Sequence, residues 1–212
     1  MFSKFFGKKK KAERPSLAHP KDLRVGDLFE MGLCPIPELS GKNFTVLEAN
    51  TLDYGEGLET AFIITSDRQK YGLSIAKNDQ GEKLSFSKLI QREQVATIFG
   101  LDVFGAIFDE GTAGDYRVQE HPADLANWLD EKCYYKTIDA LKGYFETGDH
   151  RFGQNKSRAE EFDYYELEGS NSDFGLEIEV YEGDETEVYL SRSLPLHTID
   201  RFWPQDAKEE DA

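Results

Sequence analysis

The chain has 212 residues and a formal charge of −16, from 41 acidic against 25 basic side chains. That length suits one ordinary domain with a real core, and the acidic balance sets the body of the protein against nucleic-acid phosphate and anionic lipid. Cys34 and Cys133 are the only two cysteines and stand far apart, which excludes a disulfide framework and a cysteine-rich zinc site.

The charge is uneven along the chain. Lys4, Lys8, Lys9, Lys10, Lys11 and Arg14 against Glu13 give residues 1–15 a charge of +5, so residues 16–212 carry −21. Phe2, Phe5 and Phe6 fall at i, i+3 and i+4, one face of a short helix with lysines around it. Such a segment can rest on an anionic bilayer surface, each basic residue adding about 1 kcal/mol. Phe2, Lys4, Phe5, Phe6, Lys8, Lys9, Lys10 and Lys11 are therefore candidates for a membrane or partner contact, against the plainer reading of a loose terminus whose rings pack on the body or on nothing. The phenylalanines are broken by Lys4, so the segment does not read as a secretory signal, and no window approaches 18 apolar residues. Residues 1–19 are expected to be a basic tip and linker, 20–204 one globular domain, and 205–212 an acidic tail.

Residues 23–29, 43–49, 60–65 and 70–76 alternate or run β-branched and read as strands; the last three are joined by short polar connectors, as in an antiparallel meander. Residues 87–100 change period: Leu89, Ile90, Val95, Ile98 and Phe99 follow helical spacing, with Gly100 placed for a C-cap and a second short helix over 101–108. Residues 122–133 also predict a helix, with Leu125, Trp128 and Leu129 on one face, and residues 134–145 another. A polar loop follows, and the chain then returns to β. Tyr164, Glu166 and Glu168 alternate with Tyr165 and Leu167, while Leu176, Ile178 and Val180 alternate with Glu177, Glu179 and Tyr181. This predicts a second meander with one acidic, wet face, continued by Val188 and Leu190.

The expected fold class is α+β, mainly antiparallel β-meanders. Residues 61–75 with 84–90 and residues 175–190 with 194–199 run alike, which suggests two similar β-rich halves, 20–110 and 145–204, joined by helices within 87–146.

Three scattered stretches, Phe2-Ser-Lys-Phe-Phe-Gly7 with Lys8, Asn43-Phe-Thr-Val46 leading to Asp53-Tyr-Gly55, and Leu190-Ser-Arg-Ser-Leu-Pro-Leu-His-Thr-Ile199, make the chain resemble the YjfK-like bacterial proteins. The resemblance implies a cytoplasmic accessory protein of a family often encoded beside membrane-maintenance proteins of the phage-shock type.

Chemistry-bearing residues are sparse. His19, His121 and His197 occur singly, with no metal-ligand spacing, so neither metal nor cofactor is expected. His150 sits between Asp149 and Arg151, a candidate general base in a loop, against the plainer reading of a turn held by local charge. Glu177, Glu179 and Glu187 fall on neighbouring strands and could bind a divalent cation or act as acid and base, against the plainer reading of a solvated face. Trp128 reads as a core anchor, and Trp203 as a closing or exposed contact.

The favoured reading is a non-enzymatic cytoplasmic interaction protein. Its acidic β faces would bind a protein partner while the tip docks on an anionic membrane, peripheral to the inner membrane, or on a membrane-associated assembly, and paired sheet edges would allow a homodimer. The second reading is an enzyme or small-ligand binder with a cleft at Asp149, His150 and Arg151. An acidic mimic of nucleic acid rests on net charge alone.

Overall fold

The computed structural model describes residues 17–55, 57–78, 81–109, 114–152, 159–183 and 185–205. The contacts expected of Phe2 to Lys11, and nearly all of the acidic tail, lie outside the described residues.

Period-two alternation builds most of the chain into strands. They are β1 (Leu28–Met31), β2 (Asn43–Asp53), β3 (Leu58–Ser66), β4 (Gln69–Asn78), β5 (Gly81–Ile90), β6 (Asp115–Arg117), β7 (Cys133–Glu146), β8 (Glu160–Gly169), β9 (Phe174–Tyr181), β10 (Thr186–Pro195) and β11 (Ile199–Trp203). Helices α1 (Arg92–Phe99) and α2 (Leu101–Gly105) lie between β5 and β6. The strands pair antiparallel in the order β11-β1-β2-β3-β4-β5-β10-β9-β8-β7-β6.

One further ladder changes the architecture. Thr51, Leu52 and Asp53 of β2 pair with Glu146, Phe145 and Tyr144 of β7. The run from β2 to β7 thereby closes on itself as an eight-stranded barrel, with β1 and β11 hanging from β2 and β6 from β7. The ring consists of two four-strand meanders, β2 to β5 and β7 to β10. First strand pairs with first, and fourth with fourth.

Alternation gives the barrel two unlike faces. Phe62, Ile64, Leu73, Leu84, Phe86, Leu176, Ile178, Leu190 and Leu167 are buried together with Val95, Ile98 and Phe99 of α1 and with Leu125, Trp128 and Leu129. The apolar face is thus the one covered from outside. β2 carries an irregularity between Val46 and Glu48, and the half before it runs with β1 across this face, where Phe44 meets Tyr71 at 6.0 Å and Phe86 at 6.4 Å. The half after it turns to meet β7.

The helical expectations hold only in part. α1 and α2 lie within residues 87–108, but residues 87–90 complete β5. Residues 122–129 form successive turns, with Leu125 N–H donating to Pro122 O (2.9 Å) and Trp128 N–H to Leu125 O (2.8 Å). Repeated i to i+3 bonds put Leu125 and Trp128 on one side just as a helix would, so apolar spacing does not separate the two. Trp128 is fully buried and stacks on Tyr71 at 5.6 Å, a core anchor without a helix. Residues 134–145, expected as helix, belong to the 14-residue β7, whose register against β8 breaks between Lys136 and Ile138 and again before Leu141. Those breaks, with Ala140 at φ 51°, erase the alternation that marks a strand. Residues 84–90 lie in β5, whereas 194–199 span the end of β10 and a 3-10 turn, so these two stretches are not equivalent strands.

Trp128→Ala is expected to lower unfolding free energy by about 3–5 kcal/mol, whereas Leu33→Ala, at a side chain 93% exposed, stays within about 0.5 kcal/mol of the parent in urea denaturation.

Candidate functional site

The face opposite the apolar one lines a cavity of about 2160 Å³ reached by all eight barrel strands. Glu59 on β3 and Glu177 on β9, four strands apart either way round the ring, lie close enough for the charge of one to act on the other. Tyr54, after β2, packs on Tyr164 (5.0 Å) and Phe162 (6.1 Å) of β8. These contacts bridge the ring, which makes this face the interior.

Register assembles the interior in rows. Tyr189 lies opposite Glu177, which lies opposite Glu166; one pair along, Glu187 lies opposite Glu179 and then Tyr164. Tyr181 donates to Glu179 Oε2 at 2.6 Å, and Tyr189 donates to Glu187. Away from this acidic wall the interior is stripped of bulk: Gly72, Ser87, Ser191 and Gly175 form one row across β4, β5, β10 and β9, and Ser74, Ser85 and Ser193 another. A Cβ on Gly72 would fall 2.1 Å from Ser87 Oγ, and one on Gly175 2.3 Å from Ser191 Oγ, so both glycines are required by the neighbouring hydroxyl.

The carboxylates are held against their preference for charge. Burial pushes Glu177 up to about 7; the Ser191 hydrogen bond opposes this, and Glu166, Glu179 and Glu59 add to it. Burial likewise raises Glu59, Glu166 and Glu179, with Glu168 and Glu59 adding at Glu166, and with Tyr181 opposing and Glu187 adding at Glu179. Tyr54, Tyr164, Tyr181 and Tyr189 are raised by burial and by these same carboxylates, so their hydroxyls remain donors. Among the described residues no group of three or more His, Cys, Asp or Glu has the arrangement to hold a metal ion. The structure brings Glu177, Glu179 and Glu187 to one wall.

Asp149, His150 and Arg151 lie elsewhere and none lines the cavity. Arg151 donates to both Asp149 oxygens (2.8 and 2.6 Å), to Leu23 O (2.7 Å) and to Lys21 O, and lies over the Phe62 and Phe152 rings. His150 sits 3.2 Å from Glu146, and its backbone N–H donates to Thr51 Oγ1, which itself donates to Gly148 O. The constellation staples residues 21–23 and the β2–β7 seam together. The candidate site is carried by the Tyr and Glu alternation of β8 to β10, which the sequence predicts as an acidic, wet face and which the barrel turns inward. Among the described residues no helix is long and apolar enough to cross a membrane.

No family model, no curated protein and no solved structure matches this chain.

Glu177 keeps its proton up to about pH 7 when folded but releases it near its ordinary 4.5 when unfolded. The stability it contributes is complete below about pH 4.5 and is lost as pH rises through about 7. Glu177→Gln, which keeps an acceptor for Ser191, is therefore expected to stabilise the protein by about 2–3 kcal/mol at pH near 8, the gain vanishing toward pH 4.5 in thermal unfolding.

Proposed function

We propose that the barrel is a receptor for a lysine- and arginine-rich segment of a partner protein, which makes the chain an interaction module. The observation that carries this reading is the convergence of Glu59, Glu166, Glu177, Glu179 and Glu187 on one cavity, where the strongest charges acting on Glu177 are other carboxylates. A cation entering there relieves repulsion and compensates burial, whereas an anionic or neutral occupant does neither. Tyr54, Tyr164, Tyr181 and Tyr189 offer ring faces to ammonium or guanidinium groups. The glycine and serine rows give extended backbone room and hydroxyl partners. At about 2160 Å³ the cavity is at least twice the usual 300–1,000 Å³ of a small-molecule pocket, which favours a peptide over a metabolite.

The wider setting we propose is cytoplasmic and peripheral to a bacterial inner membrane, on the strength of the YjfK-like resemblance and the basic aromatic tip. We also infer that the two meanders derive from one duplicated unit. Tyr71-Gly72-Leu73-Ser74-Ile75 on β4 parallels Phe174-Gly175-Leu176-Glu177-Ile178 on β9, and Ser87-Lys88 on β5 parallels Ser191-Arg192 on β10, with Ser87 and Ser191 directly paired.

Fluorescence anisotropy with labelled hexalysine tests the receptor. Binding is expected at about 50 mM salt and to weaken steeply by about 300 mM. Glu177→Gln with Glu179→Gln is expected to lose at least about tenfold in affinity, one to two charge-assisted contacts, while Glu120→Gln, exposed and outside the cavity, leaves it unchanged. Equal affinity in all three proteins would overturn the assignment.

A further inference from the structure

We propose that this chain's own segment 2–14 occupies the barrel until a partner's basic segment displaces it, an inference that rests on the receptor reading above. Charge supplies the first reason: residues 1–15 carry +5 in a protein that is otherwise strongly acidic, and Glu177 in the barrel interior feels chiefly the other carboxylates Glu166, Glu179 and Glu59.

Attachment supplies the second. Leu17, the first described residue, packs against the core, and His19 Nε2 lies 3.2 Å from Glu82 Oε2. Glu82 is at the start of β5, beside Lys83 and opposite Lys77, and both lysines line the cavity. The chain therefore enters the described fold beside the β4–β5 hairpin, at one rim of the barrel. Thirteen residues of extended chain reach about 45 Å, against a diameter of about 40 Å for a domain of this size. Every part of the interior is within reach.

Composition supplies the third. Phe2, Phe5 and Phe6 would find ring partners in the same cavity, where Tyr54, Phe162, Tyr164 and Tyr181 pack edge to face or tilted. Lys8 to Lys11 then fall on the same short stretch as the rings, so one segment matches both the aromatic and the acidic parts of the wall. Tethering gives such a segment an effective concentration on the order of 1 mM, so an intrinsic dissociation constant of about 100 μM leaves the barrel about nine-tenths occupied and weakens an outside competitor about tenfold.

The test uses the full chain and the full chain carrying Lys8→Gln, Lys9→Gln, Lys10→Gln and Lys11→Gln, with labelled hexalysine as probe. The substituted chain is expected to bind hexalysine about tenfold more tightly than the parent. Carbodiimide crosslinking of the parent, read by mass spectrometry, is expected to join Lys8 to Lys11 with Glu59, Glu177 or Glu179. Equal hexalysine affinity in the two chains, or crosslinks confined to carboxylates outside the barrel, overturns the self-occupancy while leaving the receptor intact. Equal affinity together with lysine-dependent pelleting on phosphatidylserine vesicles would assign the segment to a membrane surface instead. If neither chain binds hexalysine, the receptor reading itself falls, and this inference with it.

Discussion

Three residue pairs hold the architecture together. Without Thr51, Leu52 and Asp53 on Glu146, Phe145 and Tyr144, the eight central strands would be an open sheet with one apolar and one acidic face, and the acidic face would simply be wet. With them, the same face becomes the wall of a cavity. The bond count of this ladder is small, and neighbouring groups reinforce it. Thr51 donates to Gly148 O and accepts from His150 N–H, Asn50 accepts from Gly148 N–H, and the Asp149–Arg151 pair ties the same loop to the backbone at residues 21–23. The polar loop after β7 is a clasp on the seam. This accounts for Asp149 being buried although it is a carboxylate, because its oxygens are spent on Arg151.

Closure inverts the usual distribution of polarity in a small barrel, whose interior is commonly filled by apolar side chains. Here the apolar residues point outward and must be covered. That requirement explains elements that otherwise look incidental: α1, the turns around Trp128, and the fold-back of β1 with the first half of β2. Two cations on adjoining strands fasten the Trp128 turns. Lys88 Nζ donates to Asp124 O at 3.2 Å and lies 5.7 Å over the Trp128 ring, while Arg192, 3.8 Å over Phe174, donates to Asn127 O. Burial lowers the pKa of Arg192, the sign of a charge retained for its donors rather than for solvation.

The sequence made the simple strands legible because their alternation is local. β2, β3, β4, β8, β9 and β10 each show it, and each was expected near its observed place. β7 was not legible, since two register breaks and a positive φ at Ala140 disperse its pattern. The end of β5 was lost because only Gln91 separates Ile90 from the start of α1, so the apolar residues of strand and helix read as one helical spacing. The cavity presents a different kind of limit. Glu177, Glu179 and Glu187 were visible as neighbours, but alternation reports only that a face is polar. Whether that face is outside a sheet or inside a ring depends on a pairing between residues 51–53 and 144–146, which no local pattern encodes. A weaker signal was present in the tyrosines. Tyr164, Tyr181 and Tyr189 share the face of the glutamates rather than the apolar face, and large rings on a fully solvated face would bury nothing.

Keeping such carboxylates inside a barrel is costly, and the form of the cost bears on what the interior is for. A group titrating at about 7, as Glu177 does, is divided between its two states near neutrality when the cavity holds no cation. A cation placed beside it would lower that value, so on the proposed reading occupancy and proton release would be linked, and the carboxylates that destabilise the barrel alone would stabilise it with a cation bound. Glutamine at these positions would make the barrel more stable and give up that linkage. On the proposed receptor reading, stability is given up at the positions that would supply charge selectivity, and the tyrosine hydroxyls on Glu179 and Glu187 hold the carboxylates in place without neutralising them.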